Sequence, residues 1–106
     1  MSTFQIKTND TAPSITATLT ADSVAVDITA STVRFHMVNR ADEIKVDAAA
    51  VIVLGTAGTV RYDWAAADTD TAGRFKAEWE VTFPDGTIRT FPTPGYTNIR
   101  ILGDLI

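Results

Sequence analysis

Cysteine is absent from this chain of 106 residues, which removes disulfide support and thiol chemistry and suits a reducing cytoplasm or a particle assembled in one. No stretch of eighteen apolar residues occurs, and the opening MSTFQIKTND has neither a basic segment nor an apolar one. A membrane helix and a secretory leader are therefore not expected. Basic residues are few: nine Lys and Arg against thirteen Asp and Glu give a net charge of −4, spread thinly. Without a basic stripe to neutralise phosphates, nucleic-acid binding is not expected either. Leucine is scarce at four residues, whereas threonine reaches seventeen and valine is frequent. Branching at Cβ suits a pleated surface better than a helix, so an all-β chain is expected. A domain of this length buries about 65% of the surface exposed by its unfolded chain, enough for one core, and residues 1–106 read as one domain.

Period-two alternation marks the strands. TFQIKTND gives a short first strand ending in a turn at Asn9-Asp10. In SITATLT, Ile15, Ala17 and Leu19 share one face; after a turn at Asp22-Ser23 a run follows through Val24, Val26 and Ile28. TVRFHMVNR alternates Val33, Phe35 and Met37 with Arg34, His36 and Val38. Ile44 to Leu54 is ambiguous, its three alanines favouring helix and its valines and isoleucines strand; it is read as a strand. GTAG, with Gly55 and Gly58 free to take positive φ, then turns into TVRYDW, which aligns Val60, Tyr62 and Trp64. The longest alternation, RFKAEWEVTF, directs Phe75, Ala77, Trp79, Val81 and Phe83 inward. Pro84-Asp85-Gly86 supplies a hairpin turn, TIRTF returns, and YTNIRIL follows PTPG. Proline gives no donor to a ladder, so Pro92 and Pro94 mark an edge, a bulge or a crossing between sheets. Seven to nine short strands with frequent turns describe a two-sheet, immunoglobulin-like β-sandwich.

Few residues offer chemistry. DTDTAGRF begins as a calcium loop does, but with Asp68 as the first ligand and Asp70 as the third, the fifth and twelfth places fall to Ala72 and Trp79. Neither supplies a carboxylate, so no metal is expected; Asp70 is read as capping a turn and Gly73 as a backbone requirement, ahead of an aromatic that anchors the corner. Phe75 occupies the place where such corners usually carry tyrosine, and without a hydroxyl only its packing role remains. His36 lacks a local partner to orient it as a base. Glu78 and Glu80, about 6–7 Å apart on one strand face, match the separation of a glycosidase pair. They alternate with Arg74 and Lys76, however, as in a solvated charged row. Trp64 and Trp79 share their faces with apolar neighbours and read as core, not as a sugar platform. FPTPGY, from Phe91 to Tyr96, reads as an exposed apolar contact patch.

Taken in order, FQIKTNDTAP, VDITASTVRFHM, VRYDW, DTDTAGRFKAEWEVTFPDGTIRTFP and GYTNIRI resemble the N-terminal domain of the phage baseplate upper protein family, also seen in small tail proteins of phages and prophages. The resemblance covers nearly the whole chain and includes no catalytic signature. It implies a non-enzymatic virion structural protein without a cofactor. Such a protein is an adaptor or assembly module of the tail or baseplate, assembled in the bacterial cytoplasm. Its partners would be other virion proteins or copies of itself, with no membrane partner. Longer family members carry receptor-binding or linker regions after this domain, and this chain is expected to stop where the domain stops. The contact surface is expected at Phe91, Pro92, Pro94, Tyr96, Leu102, Leu105 and Ile106. A carbohydrate-binding or adhesion module, and a head decoration or head-tail connector protein, stay open on the same fold.

Overall fold

A computed structural model describes residues 3–92 and 95–105. Eleven strands are formed among them: β1 (Thr3–Lys7), β2 (Ile15–Thr18), β3 (Thr20–Ala21), β4 (Val24–Ala25), β5 (Thr32–Asn39), β6 (Ile44–Ala49), β7 (Val51–Leu54), β8 (Thr59–Tyr62), β9 (Gly73–Thr82), β10 (Ile88–Phe91) and β11 (Thr97–Leu102). The larger sheet runs β1-β11-β9-β5-β6, with β10 also on β9; the smaller runs β2-β8-β7, and β3 and β4 form a separate hairpin. All pairs are antiparallel except β1 with β11, which run parallel. The two sheets close on each other as a β-sandwich.

Alternation builds the core directly. Val33, Phe35 and Met37 of β5 and Phe75, Ala77, Trp79 and Val81 of β9 are buried against Ile15, Val60 and Tyr62 of the smaller sheet. Phe35 lies at the join, stacked on Tyr62 at 4.6 Å between ring centroids and tilted against Trp79 at 4.8 Å. Phe83 is half-buried at the rim of this cluster.

The ambiguous stretch from Ile44 to Leu54 is extended, but as two strands in different sheets. β6 pairs with β5 and β7 with β8, the chain changing sheets at Ala50, whose N–H donates to Val33 O at 2.8 Å. After β7 a 3-10 turn spans Gly55–Ala57. Only Gly58 there takes positive φ, at 67°. Gly55 is constrained by space instead: a Cβ on it would sit 3.0 Å from the Cα of Thr29.

Along β9, Gly73–Ala77 pairs with β11 and Trp79–Thr82 pairs with β10, so both neighbours share one edge and β5 lies on the other. Pro92 follows the last residue of β10, where the chain leaves that edge before rejoining it in β11. The proline therefore interrupts one edge within a sheet and marks no crossing between sheets. Pro84–Gly86 turns as expected, with Gly86 at φ 89° and the Phe83 N–H bonded to Thr87 O at 2.8 Å. Val24 is exposed, because Asp22 and Ser23 both take positive φ and turn the β3-β4 hairpin outward; of that run only Ile28 is fully buried.

Candidate assembly surface

Both sheets end on the same continuous segment: β6 is an outer strand of the larger sheet and β7 of the smaller. Their free edges carry backbone donors and acceptors that no described strand pairs. Ile44 is 76% exposed and Leu54 55% exposed, and Val51 and Val53 are exposed between them. β7 has no charged residue, proline or bulky polar group to guard it, and an unguarded apolar edge is what a neighbouring chain adds to. The sequence signal for this surface was the loss of alternation in VIVL, where no polar residue occupies an outward position.

The outer face of the larger sheet is polar. Arg34 donates from Nε to Asp47 Oδ1 at 2.9 Å and from a terminal nitrogen to Asp47 O at 2.8 Å. His36 Nε2 lies 3.2 Å from the same carboxylate. The Arg34 hydrogen bond is the main reason that the Asp47 carboxyl titrates below its ordinary range. His36 thus has an oriented partner after all, supplied by the β5-β6 register, which sets it opposite Asp47. Glu78 and Glu80 stand opposite His36 and Arg34 across the β5-β9 pair. This is a row in which each half-buried glutamate faces a histidine or an arginine across the strand pair.

The DTDTAG stretch forms a structural corner, but the capping expected of Asp70 falls to its neighbour. Asp68, not Asp70, caps the turn, its Oδ2 accepting the Ala65 N–H at 2.8 Å and the Tyr62 hydroxyl at 2.5 Å. Asp70 pairs with Lys45 and accepts the Thr71 hydroxyl, and the Lys45 bond holds its carboxyl low. The hydroxyl that Phe75 lacks is thus provided by Tyr62 from the neighbouring sheet. Burial, followed by the Asp68 carboxylate, pushes the Tyr62 phenol above its ordinary range. Buried Thr69 ties the corner to the first loop by donating to Asp10 O at 2.9 Å. Gly73 takes φ 149°, as its backbone role requires. Tyr62→Phe is expected to lower unfolding free energy by about 1.5–3 kcal/mol, as loss of a hydrogen bond to a charged acceptor does. In an Asp68→Ala background the same change should cost much less; equal cost in both, by urea titration, would mean that the two groups are not coupled.

The residues expected to form the contact patch are scattered. Phe91 is 2% exposed and belongs to the core, because alternation in β10 turns it inward opposite Trp79; it is not surface. Pro92 is exposed, and Tyr96 is exposed with Lys76 Nζ 5.6 Å from its ring centre. Leu102 is half-buried at the end of the β1-β11 pair, whereas Leu105 is 97% exposed. Pro94 and Ile106 lie outside the described residues. Trp64 and Trp79 are both buried, so they form no platform for a sugar ring. Among the described residues no three His, Asp or Glu side chains are placed to hold a metal ion, and no helix is long and apolar enough to cross a membrane.

Comparison with solved structures finds CopC from Methylosinus trichosporium OB3b, at 10% identity and a TM-score of 0.57, covering 100% of this chain and 89% of that one. At that identity the likeness concerns the β-sandwich alone. No curated protein sequence matches. The sequence profile of the BppU N-terminal domain matches residues 2–91, the full run of strands from β1 to β10. Because that profile spans well over half of the sequence, this chain belongs to the BppU N-terminal domain family of phage baseplate structural proteins.

Proposed function

We propose that this protein is a non-enzymatic adaptor of the phage tail or baseplate, an immunoglobulin-like sandwich that joins neighbouring virion proteins or copies of itself through the free edges of β6 and β7. The observation that carries the reading is the exposed apolar run of Ile44, Val51, Val53 and Leu54, placed where unpaired backbone groups are also presented. Strand addition there would satisfy the backbone and cover the side chains together, each buried Å² contributing about 25 cal/mol before the costs of association. Pro92, Tyr96, Leu102 and Leu105 supply a second, smaller set of contacts in this proposal, away from Phe91.

Val53→Lys with Leu54→Lys tests it in the phage that encodes the chain. Both side chains are exposed, so the unfolding midpoint of the purified variant should stay close to wild type. Its incorporation into particles should be lost, as charges on an edge block strand addition. Normal incorporation of the folded variant would overturn the edge assignment. Loss of incorporation in Leu105→Lys instead would move the contact to the second set.

A further inference from the structure

The outer face of the larger sheet carries a cationic corner whose three arginines form no ion pair among the described residues. Register places Gln5, Arg100 and Arg74 in one row across β1, β11 and β9, and Thr3, Asn98 and Lys76 in the next. Arg100 and Arg74 are therefore directly opposite each other on adjacent strands, both exposed, and Arg40 joins them just beyond the end of β5. Like charges so placed repel. Lys76 is paired with Asp42 at 2.6 Å, but Arg40, Arg74 and Arg100 form no ion pair with any described carboxylate. Two adjoining grooves of about 250 and 540 Å³ run over these residues, and neither is lined by an aspartate or glutamate. In a chain with thirteen acidic residues and a net charge of −4, three arginines gathered over grooves that no acid lines are a local reversal of sign, with Asp42 held at the border by Lys76.

We infer that this corner binds an acidic segment of a partner protein, its carboxylates taken by Arg74 and Arg100 with Arg40 at the flank. Guanidinium forks match carboxylates in bidentate geometry, and a bound anion converts the opposed pair from a repulsion into a bridge. A nucleic-acid strand is the poorer fit. Its phosphates continue at regular spacing, and the rows beyond Lys76 present Glu78 and Glu80 on β9 and Asp47 on β6, which would repel them. A short acidic peptide needs only the corner. This surface is separate from the apolar edge of β6 and β7 and does not depend on it.

Capped hexaglutamate is the probe, titrated into isotope-labelled protein and followed by amide shifts at about 20 mM and about 150 mM salt. The shifts should gather around Arg40, Arg74 to Lys76 and Asn98 to Arg100, and weaken at the higher salt. Arg74→Gln with Arg100→Gln should reduce affinity roughly tenfold or more. Arg100→Gln alone should leave the melting temperature unchanged or raise it at low salt, because it relieves the opposed charges. The inference fails if hexaglutamate does not bind at low salt, if the shifts gather elsewhere, or if the double variant binds unchanged. It fails equally if hexathymidylate binds as tightly as the peptide, which would make the corner a nucleic-acid surface, or if Arg100→Gln alone lowers the melting temperature.

Discussion

Trp79→Ala is expected to destabilise the protein by about 3–5 kcal/mol, a fifth or more of the roughly 5–15 kcal/mol that holds a small domain together. Trp79 is 1% exposed and sits mid-strand in β9, opposite Phe35 on one side and Phe91 on the other. Phe35 passes the contact on to Tyr62, and stands edge-on to Trp64 at 5.6 Å, so one indole supports the aromatic cluster joining the two sheets. Its Nε1 has no hydrogen-bond partner among the described residues. The loss on truncation is therefore one of apolar burial and packing, lessened in part because a buried donor without a partner is removed with the ring. Urea titration should show a much lower midpoint with an unchanged slope, and Trp79→Phe should recover a large part of the difference. A near-wild-type midpoint for the alanine variant would place the indole outside the core and reopen the carbohydrate-binding reading.

Gly58→Ala should be nearly as damaging, although it adds only a methyl group. The backbone at Gly58 has φ 67°, and an added Cβ would lie 2.7 Å from Val26 O and 2.8 Å from Leu19 O. Leu19 O already accepts the Val26 N–H at 2.9 Å, and the Leu19 N–H donates to Gly58 O at 2.8 Å. Relief of the clash thus requires movement of backbone that is itself hydrogen-bonded. Left-handed conformation alone costs an ordinary residue roughly 1–3 kcal/mol, and the clash adds to that. Gly86→Ala is the control, since Gly86 also has positive φ but its Cβ would meet nothing within 4 Å. Gly58→Ala should exceed Gly86→Ala clearly in denaturant midpoint shift. Equal shifts would mean that Leu19 and Val26 yield without loss and that conformation accounts for the whole effect.

The sequence by itself determined the strand faces and the main turns. Phe75, Ala77, Trp79 and Val81 are buried because alternation along one strand leaves them no other side, and Pro84-Asp85-Gly86 turns because its torsions are set locally. The resemblance of the ordered strand segments to one phage family was legible for the same reason, since each landmark is a local pattern. Tertiary structure decided whatever depends on which strands become neighbours. Phe91 reads as surface from its place beside Pro92 and Pro94, and only the pairing of β10 with β9 sets it next to Trp79 in the core. Asp47 reaches His36, Tyr62 reaches Asp68, and Arg100 comes to face Arg74 through pairings or folds of the chain that no local spacing records. The free edge arose in the same way: VIVL announces an apolar strand, but only the strand order of two sheets leaves it unpaired. Side-chain direction is a property of a residue and its immediate neighbours, whereas register and sheet order are set by the competition of every strand for every edge.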